Sequence, residues 1–583
     1  MVSNGTDAVL VEDTFPFNPK SDQTEVKVTV TCLGIGCIPV EVDGRSSKIL
    51  GRRSLKPVTL SMDDVVGCRI KDKDKVDINS ARLDIVAYPH HKVFASKRTQ
   101  RRKEVVTLTF KKHDSYEENV RMAKDWSTLI HSLAKGHGFQ QAQDITNSEG
   151  TPSSSKVLVL VNPFGGTGRA LKMFLEKVVP VFTDANIEYE MICTERQGHA
   201  KEMMMTLTLT DYYGIIIVSG DGLVYEVING LMARDDWKTA IKTPLGVIPG
   251  GSGNALCSAI SHSAGEPFLS EPVLPASFII AKHQPLPMDL VAVDTAEGRL
   301  YSFLNVCWGI IADIDIESEK FRSLGMARFT LGTISRLLGL RRYRGRISFL
   351  PVGEYRPKEV TASMKRSKSE VAPPGKSTRN VKKSQSLDMT TDTQLQVDTS
   401  GEPGLDEVGM DNAAIENSGH VVTEAGDAVN GSETTADDAS PHVNGCAVDS
   451  MTSELPGLTE PVPSSWVTIE DDFVLVLAMY QTHLNSELIP APTCTFDDGL
   501  MHLIIVRASI TRTRILRVLL AFQEGREVND DAAEVVCVKA FRLEPLTDRG
   551  ILTVDGETIK YGPVQAHVLP GVARVMALDK SQV

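Results

Sequence analysis

Apolar and polar residues alternate along the first part of the chain. Residues 26–32 and 106–110 place Val, Leu, Phe or Cys at every second position, with Lys or Thr between them. A period of two is typical of a strand with one buried face. The pattern predicts a small β-rich domain over 26–136, preceded by a disordered terminus over 1–25 and followed by a linker over 137–155.

Helical spacing follows the last of these strands. Ser115 and Glu118 have the three-residue separation of a capping box, and Gly136 stands where a helix would end. The apolar positions between them recur every three or four residues, at Met122, Trp126, Leu129, Ile130 and Leu133. Strands closed by one helix with a central Trp resemble a pleckstrin-homology domain, although a generic small β domain would show the same pattern.

Five basic residues lie close together between two of the predicted strands: Lys97, Arg98, Arg101, Arg102 and Lys103. Such a cluster can bind the anionic headgroups of a membrane or serve as a nuclear-import signal. A solvated loop often has the same composition. The sequence leaves these three interpretations open.

From Lys156 the apolar residues come in short unbroken runs separated by helical stretches. The runs predict parallel strands covered by helices on both faces, at 157–161, 187–193, 215–218 and 245–248. After about Pro285 the pattern becomes mostly β, with hairpin signals at Asp497-Asp498-Gly499 and Asp555-Gly556. We therefore expect an α/β parallel-sheet domain over 156–285, an antiparallel β-sandwich domain over 286–355 and 466–570, and a tail over 571–583.

Composition separates residues 356–465 from the rest of the chain. The segment has no Phe, Tyr or Trp; its first part, 356–383, is basic, whereas 384–465 has sixteen acidic residues and no Lys or Arg. Its apolar surface is too small to offset a backbone ordering cost of about 1–2 kcal/mol per residue. We expect a disordered insert.

Two serines of the insert, Ser369 and Ser386, follow a basic residue by three positions. Regulatory protein kinases acting there would add roughly −1.5 to −2 charge per site. We expect this change to redistribute the protein in cells, which the localisation of double Ser→Ala and Ser→Glu variants would test.

The chain as a whole has 583 residues and a formal net charge of −13, which argues against a nucleic-acid-binding surface. Its nine cysteines form no CxxC pair, a usage that favours reduced thiols over a disulfide framework or a zinc site. No signal peptide and no apolar run of roughly 20 residues is visible. We therefore expect a soluble protein of the cytoplasm.

Glycine-rich turns follow three of the predicted parallel strands. They read Asn162-Pro163-Phe164-Gly165-Gly166-Thr167-Gly168, Ser219-Gly220-Asp221-Gly222 and Pro249-Gly250-Gly251-Ser252-Gly253-Asn254. Loops at the carboxyl ends of parallel strands meet in one crevice. Glycine lets the backbone approach phosphate oxygens there, and the next helix supplies N–H groups. One such turn is usually structural, but three together indicate a nucleotide site.

Neither common nucleotide motif is present. Arg169 follows Gly168 where a Walker A sequence needs Lys, and no GxGxxG opens the first helix. Asp221 lies between two glycines at a strand end, where it can accept a proton from an attacking hydroxyl during phosphoryl transfer. It can also cap the helix that follows it, at 223–231, and the two roles are compatible.

These motifs also carry a resemblance to a known family. Asn162-Pro163 with Gly165-Gly166, the 219–222 turn followed by Glu226 and Asn229-Gly230-Leu231, and Gly251-Ser252-Gly253-Asn254-Ala255 are similar to the diacylglycerol-kinase-type catalytic domain, and within it to the sphingosine kinases. The runs 312–322 and 328–333 share the resemblance, which spans about 156–352 and 466–570. The amino-terminal extension, the insert and the runs 541–545 and 554–557 resemble the type-2 members.

The resemblance implies a lipid kinase that uses ATP and Mg²⁺. The ATP contacts that it implies are Asn162, Pro163, Phe164, Thr194, Glu195, Arg196, Gln197, Gly198, Glu226, Gly251, Ser252, Gly253, Arg322, Arg328, Asp555, Gly556 and Glu557, with Asp555 also a magnesium ligand. Asp221 would be the base, within a substrate-contacting turn of Ser219, Gly220, Asp221 and Gly222. Tyr225, Thr167 and Arg169 depart from the family, which usually has His at the first position and a more lysine-rich phosphate loop.

A kinase of this class can phosphorylate a sphingoid base, ceramide or diacylglycerol. Only the sphingoid base carries an ammonium beside its primary hydroxyl, and an unpaired ammonium in an apolar pocket is costly. Asp315, in the strand-like run 310–316, matches the family position for the pairing carboxylate, and Asp313 shares its face at a period of two. A ceramide or diacylglycerol kinase is the alternative of the same fold. A non-catalytic membrane-binding scaffold is the alternative of another class.

A further helical stripe precedes four arginines between 341 and 346: Phe329, Leu331, Ile334, Leu337 and Leu338. A helix with an apolar stripe and a basic end can lie on an anionic membrane and admit lipid to the pocket. A core-packing helix has the same stripe, so peripheral membrane recruitment and core packing are both open.

Overall fold

The computed structural model describes residues 8–16, 25–40, 57–71, 77–94, 98–136, 156–282, 284–318, 327–355, 455–528, 530–531 and 533–578, with no account of the side chains of 327–331. The predicted linker and residues 356–454 of the predicted insert, including Ser369 and Ser386, lie outside the described residues. Lys97 and Arg322 do as well.

The amino-terminal domain consists of small antiparallel sheets and one helix. A four-stranded sheet is formed by Val11–Pro16, Glu25–Val30, Gly34–Val40 and Val58–Ser61, and a three-stranded sheet by Val65–Ile70, Ala81–Ala87 and Glu104–Phe110. His90–Lys92 and Thr99–Arg101 form a separate pair. The helix Tyr116–Ala134 buries Trp126, Leu129, Ile130 and Leu133, as its apolar stripe predicted.

Two details of this domain differ from the sequence prediction. Val11–Pro16 is a strand rather than part of a disordered terminus, because Phe15 fills the core and its ring makes an edge contact with Trp126 at a centroid distance of 5.1 Å. The predicted capping box is not formed. The Ser115 hydroxyl donates to the Glu117 carboxylate instead of capping the helix.

The second domain contains a four-stranded parallel sheet in the order Tyr189–Cys193, Lys156–Val161, Tyr212–Ser219 and Leu245–Pro249. These strands contain most or all of each predicted apolar run. The helices of the domain are Ala170–Met173, Val179–Asp184, His199–Thr206, Asp221–Met232, Trp237–Ala240, Ala255–Ser263 and Val273–Lys282, with a π-helical turn Phe174–Val178 between the first two. The parallel direction brings the ends of three strands, and the glycine-rich turns after them, to one edge of the sheet.

The third domain is antiparallel. Its strands are Pro285–Thr295, Gly298–Ser302, Asn305–Gly309, Tyr343–Pro351, Val467–Met479, Met501–Arg507, Ala533–Pro545, Leu552–Val554, Glu557–Thr558 and Val564–Met576. Its helices are Ile310–Ser318, Ala327–Leu338 and Arg512–Gln523.

One boundary and one turn of this domain differ from those predicted. The last strand reaches Met576, and Val575 is opposite Leu245 of the parallel sheet. Because Val575 is buried in the α/β core, the tail begins after this strand and not at 571. The Asp497-Asp498-Gly499 signal does not form a tight hairpin, since it ends a long loop between the paired strands Val467–Met479 and Met501–Arg507.

The carboxyl end of the predicted insert belongs to the folded domain. Arg542 is buried and donates hydrogen bonds to the carbonyl oxygens of Gly457 and Glu460. Gln565 donates to the carbonyl oxygen of Pro456 at 2.8 Å. Because buried polar groups need partners, these contacts hold the chain in place, and the domain resumes before 465.

Replacing 356–454 with a short Gly/Ser linker should therefore leave the melting temperature unchanged, because no described contact is lost. Extending the replacement to 465 should lower the free energy of unfolding by about 1–3 kcal/mol, since the buried Arg542 loses its carbonyl acceptors. Thermal unfolding of the two variants measures the difference. Equal melting temperatures would show that 455–465 does not stabilise the domain.

Candidate functional site

The three glycine-rich turns pack against one another at the carboxyl edge of the parallel sheet. Gly166 has a φ of 57°, and a Cβ there would lie 2.6 Å from the carbonyl oxygen of Gly250. A Cβ on Gly251 would lie 2.3 Å from the Cα of Gly220. No side chain fits at these distances, so only glycine allows the turns to meet. The prediction that they form one crevice is confirmed.

The third turn is held in shape by its last residue. Asn254 has a left-handed φ of 53°, and its side chain accepts the Gly251 N–H and donates to the Gly251 carbonyl oxygen, both at 2.9 Å. This pair of bonds closes the turn upon itself. The helix Ala255–Ser263 begins directly after it, so its first N–H groups face the crevice edge.

Asp221 is the first residue of the helix Asp221–Met232 and is half-buried. Its Oδ2 accepts the Ala255 N–H at 2.9 Å, and its Oδ1 accepts the Leu256 N–H at 3.1 Å. The carboxylate thus caps the neighbouring helix, whereas the N-cap of its own helix is Gly220. Burial raises the pKa of Asp221, and the backbone hydrogen bonds oppose that rise.

The predicted Asp555-Gly556 turn is a two-residue hairpin between Leu552–Val554 and Glu557–Thr558. Both turn residues have positive φ, 53° and 85°, as this turn requires. The hairpin reaches the Asp221 helix, because a Cβ on Gly222 would lie 3.0 Å from Oε1 of Glu557. The third domain therefore supplies one wall of the crevice.

The Asp555 carboxylate is buried and bonded within the protein. Oδ1 accepts three hydrogen bonds at 2.5–3.0 Å, from the Ser302 hydroxyl and the N–H groups of Leu304 and Asn305. Oδ2 accepts one, from the Phe303 N–H at 3.0 Å. Burial raises the pKa of Asp555 to about 7 against the effect of these hydrogen bonds. Only Oδ2 retains accepting capacity for a further group.

The run 310–316 was predicted as a strand, but Ile310–Ser318 is a helix. Residues two apart on a helix point to different sides, so Asp313 and Asp315 separate instead of sharing a face. Asp313 is buried, and its two oxygens are 2.8 and 2.7 Å from the Tyr343 hydroxyl. Asp315 lines the crevice, where its Oδ2 would be 3.6 Å from a Cβ on Gly556.

One cavity of about 510 Å³ connects these groups. The second domain lines it with the glycine turns and nearby polar residues, namely Asn162, Phe164, Gly165, Gly166, Thr194, Arg196, Gln197, Ser219, Gly220, Asp221, Gly222, Glu226, Gly251, Ser252 and Gly253. The third domain adds Asp315, Asp555, Gly556 and Glu557, together with apolar side chains, among them Leu304, Ile311, Ile314, Leu484, Leu488 and Leu519. The second domain thus gives the crevice a mostly polar side, and the third domain adds both carboxylates and a set of apolar side chains.

Carboxylates dominate the charge of this crevice. The acidic side chains that line it are those of Asp221, Glu226, Asp315, Asp555 and Glu557. Among the lining residues within the described ranges, Arg196 is the single Lys or Arg, and it pairs with Glu202 at 2.5 Å. These carboxylates would repel a polyanion that carries no bound cation. The crevice suits a ligand that brings a cation or is itself cationic.

A few predicted site residues do not line the cavity, or have side chains outside the described part of the chain. Pro163, Glu195 and Gly198 do not line the cavity, although they belong to the same turns as residues that do. Arg328 is in the helix Ala327–Leu338, but its side chain is outside the described part. The roles of these residues and of Arg322 stay predictions, as do the roles of the predicted residues that line the cavity.

Sequence reasoning missed most of the apolar lining and several polar residues. The residues not foreseen are Leu223, Leu304, Asn305, Cys307, Ile311, Ala312, Ile314, Thr333, Leu484, Asn485, Leu488, Leu519 and Thr553. Ala312, Ile314 and Thr333 lie in runs that carry the family resemblance, but no site role was assigned to them, and the others come from distant segments without a shared motif. Apolar character was the one signal that most of them carried, and ordinary core residues share it.

The predicted basic cluster contributes to the contact between the first and second domains. Arg101 lies 3.5 Å from the centroid of the Phe278 ring, and its guanidinium makes two hydrogen bonds to Glu266, at 2.8 and 2.6 Å. Lys103 pairs with Asp184 at 2.5 Å. Arg101 and Lys103 thus hold a domain contact, whereas Arg98 and Arg102 are exposed, as a solvated loop would have them. A membrane or nuclear-import role for the cluster stays a prediction from the sequence pattern.

Replacing Arg101 with Met should lower the free energy of unfolding by about 3–5 kcal/mol, because the buried Glu266 loses both guanidinium hydrogen bonds and is left with His90, 3.3 Å away. Arg102 is the matched control, since it is the adjacent arginine and is exposed; its replacement with Met should change stability by less than about 0.5 kcal/mol. Denaturant unfolding of both variants measures these changes. A similar small loss in both would show that the ion pair is dispensable.

Comparison with known proteins identifies two families in the chain. Residues 156–293 match the Diacylglycerol kinase catalytic domain, and residues 474–577 match the YegS C-terminal NAD kinase beta sandwich-like domain. The predicted kinase-type α/β domain and β-sandwich are thereby confirmed. The resemblance of the first domain to a pleckstrin-homology domain stays a prediction.

Longer similarities extend beyond these two regions. Sphingosine kinase 2 of Homo sapiens is 36% identical over 552 residues, which are 87% of this chain and 83% of that protein. Sphingosine kinase 1 of Mus musculus is 38% identical over 425 residues, covering 72% of this chain and 90% of that protein. Sphingosine kinase 1 of Arabidopsis thaliana is 45% identical over 196 residues, 34% of this chain and 40% of that protein. Within the described ranges, no helix is both long and apolar enough to cross a bilayer.

Proposed function

Because this chain belongs to the sphingosine kinase family, we propose that its crevice transfers the γ-phosphoryl group of ATP to the primary hydroxyl of a sphingoid base. The observation that carries the proposal is the crevice itself, which joins the glycine turns and Asp221 to Asp315 and an apolar wall. Phosphoryl transfer needs a nucleotide and a lipid hydroxyl held within reach of each other. A crevice with these two surfaces meets that need.

The nucleotide binds on the side of the glycine turns. Glycines there leave the backbone uncovered, and the helix Asp221–Met232 begins at the crevice with partial positive charge. The first two N–H groups of Ala255–Ser263 are already bonded to Asp221. Arg322 and Arg328 supply full positive charges to the phosphates. These arginines matter because carboxylates predominate among the described lining residues.

A magnesium ion bound with the triphosphate would neutralise charge on the phosphate oxygens. The donor set of the crevice fits this ion, because Mg²⁺ prefers carboxylate oxygens. Asp555 would hold it through Oδ2, the oxygen that accepts a single hydrogen bond from the protein. Its Oδ1 is already saturated.

Asp221 accepts the proton of the lipid hydroxyl during transfer. Its two hydrogen bonds to backbone N–H groups keep the carboxylate in one orientation. Burial raises its pKa, and a higher pKa makes a carboxylate a better base. Gly253 leaves room at this group, since a Cβ there would lie 2.9 Å from Oδ2 of Asp221.

The sphingoid base binds on the side of the third domain. Its ammonium pairs with Asp315, and its hydrocarbon chain follows the apolar side chains of Ile311, Ile314, Leu484, Leu488 and Leu519. Ceramide and diacylglycerol bring no cation to Asp315. The carboxylate therefore favours a sphingoid base over these neutral lipids.

The lipid enters from a membrane on which the helix Ala327–Leu338 rests. Ile334 and Leu338 of this helix are 53% and 71% exposed, whereas Leu337 packs against the core. Arg342 is exposed just beyond the helix. One side of the helix thus packs as a core helix does, and the other is left for an anionic surface.

Replacing Ile334 and Leu338 with Glu should weaken binding to phosphatidylserine vesicles by roughly tenfold or more, since each fully buried aliphatic side chain contributes about 1.5–3 kcal/mol. Leu175→Glu is the control, because Leu175 is 48% exposed on the second domain. Vesicle co-sedimentation measures binding. Equal binding by the double variant and the wild type would remove this helix from the membrane contact.

Purified protein incubated with ATP, Mg²⁺ and sphingosine tests the proposed function. Formation of phosphorylated sphingosine is expected, and removal of Mg²⁺ should stop it. A non-catalytic scaffold would bind lipid without consuming ATP. That result would leave the crevice without the proposed role.

A further inference from the structure

A group of metal-ligating side chains lies in the third domain, away from the crevice. The Sγ of Cys494, a carboxylate oxygen of Asp498 and a ring nitrogen of His502 all lie within 4.8 Å of one another. His502 Nε2 is 3.6 Å from Asp498 Oδ2. Cys494 and His502 are buried and Asp498 is half-buried. None of these residues lines the proposed active site.

Cys537 lies beside this group of three, on the strand that pairs with the strand of His502. It is directly opposite His502 in the antiparallel pairing of Met501–Arg507 with Ala533–Pro545. Opposed residues of antiparallel strands place their Cβ atoms about 4.5–5.5 Å apart on one face.

The polypeptide holds these groups in place. Asp498 Oδ2 accepts the Thr495 N–H at 3.1 Å, and Oδ1 accepts the Leu500 N–H at 2.9 Å. Each oxygen keeps a second lone pair for another partner. The N–H group of the adjacent Gly499 donates to the Asp289 carboxylate at 2.6 Å. This bond fixes the loop to the strand Pro285–Thr295. Little reorganisation is needed before a cation binds.

We propose that Cys494, Asp498, His502 and Cys537 bind a divalent transition-metal ion of the zinc class. Zinc takes thiolate, imidazole and carboxylate ligands in a tetrahedron with bonds of about 2.0–2.3 Å. Ligand atoms of such a tetrahedron stand roughly 3.3–3.8 Å apart, which agrees with the 3.6 Å between His502 and Asp498. Thiolates are poor ligands for magnesium. The site is therefore distinct in chemistry from the one proposed for the nucleotide.

Binding would connect the sheet to a loop that also serves the crevice. The loop between Val467–Met479 and Met501–Arg507 carries the proposed ligands Cys494 and Asp498 near its end. The same loop lines the crevice with Leu484, Asn485 and Leu488, and its Ser486 N–H donates to the Gly253 carbonyl oxygen at 3.1 Å. A bound cation would stabilise this loop. The cation must displace the protons of the thiols when it binds. The affinity of the protein for the cation should therefore fall as pH is lowered.

Cobalt titration of the full chain, reduced and stripped of metal by a chelator, tests the proposal. Co²⁺ adopts the tetrahedral geometry of zinc sites, and its thiolate complexes have a charge-transfer band. We expect this band to saturate at one equivalent and to disappear when Zn²⁺ is added. Cys494→Ser and Cys537→Ser should each weaken the band, and His502→Asn should weaken cobalt binding. Cys32→Ser is the control, because Cys32 is a half-buried cysteine of the first domain.

A wild-type protein without a thiolate band would overturn the proposal, as would a band that persists unchanged in Cys494→Ser. Zinc should also raise the melting temperature of the wild type and of Cys32→Ser. If Cys494→Ser does not fold, Cys537→Ser decides between the outcomes, because Cys537 is half-buried and lies on the strand Ala533–Pro545 and not in the loop. A zinc-induced rise in melting temperature that is equal in Cys537→Ser and in the wild type would contradict the assignment of Cys537 as a ligand.

Discussion

Replacing Asp221 with Asn should lower the turnover of sphingosine phosphorylation by roughly 10²–10⁴-fold, because the amide cannot accept the hydroxyl proton. ATP binding should change little, since the glycine turns that hold the nucleotide remain. Steady-state turnover, with ATP binding measured in parallel by equilibrium titration, distinguishes the two effects. A variant that keeps more than about a tenth of wild-type turnover would remove Asp221 from the role of base.

The contacts of Asp221 require one further measurement on this variant. Both carboxylate oxygens accept backbone N–H groups, from Ala255 and Leu256, whereas an amide offers one accepting oxygen. The variant could therefore lose about 1–3 kcal/mol of stability. A melting temperature well above that of the assay keeps the loss of turnover attributable to chemistry. A loss that vanishes at lower assay temperature would instead indicate unfolding.

Replacing Asp315 with Asn should lower kcat/KM for sphingosine by roughly 10²–10³-fold or more, because breaking a buried ion pair costs about 3–5 kcal/mol. A neutral lipid that is accepted weakly should lose almost nothing, since it never used the charge. The ratio of the two kcat/KM values is therefore the informative quantity. Equal losses on both lipids would mean that Asp315 supports the fold or the nucleotide.

Asp313→Asn is the matched control for this experiment. Asp313 lies on the same helix, Ile310–Ser318, but faces away from the crevice and accepts the Tyr343 hydroxyl. Its replacement should lower the melting temperature and leave the specificity ratio unchanged. A change of that ratio in Asp313→Asn would show that the helix as a whole, and not the Asp315 charge, determines substrate choice.

The parallel sheet and its glycine turns could be predicted because their causes are local in sequence. Strand 156–161 and turn 162–168 need only apolar runs and glycines, and the fold brings them together by the general geometry of parallel strands. The hairpin at Asp555-Gly556 was equally local. These features account for the polar side of the crevice.

Other features depend on contacts that are distant in sequence. Ile310–Ser318 is rich in isoleucine, which favours strands, but its tertiary packing makes it helical. The burial of Arg101 depends on Glu266, and a basic run gives no sign of a distant acid. The cysteines without a CxxC motif argued against a zinc site, yet antiparallel pairing places Cys537 opposite His502. In each case the deciding partner comes from another segment.

The central claim is that the crevice phosphorylates a sphingoid base. Its most direct test is an assay of the purified protein that offers sphingosine, ceramide and diacylglycerol side by side with ATP and Mg²⁺. We expect phosphate on the primary hydroxyl of sphingosine, with much slower reaction of the two neutral lipids, because only sphingosine brings an ammonium to Asp315. Strong activity on ceramide with none on sphingosine would contradict this account.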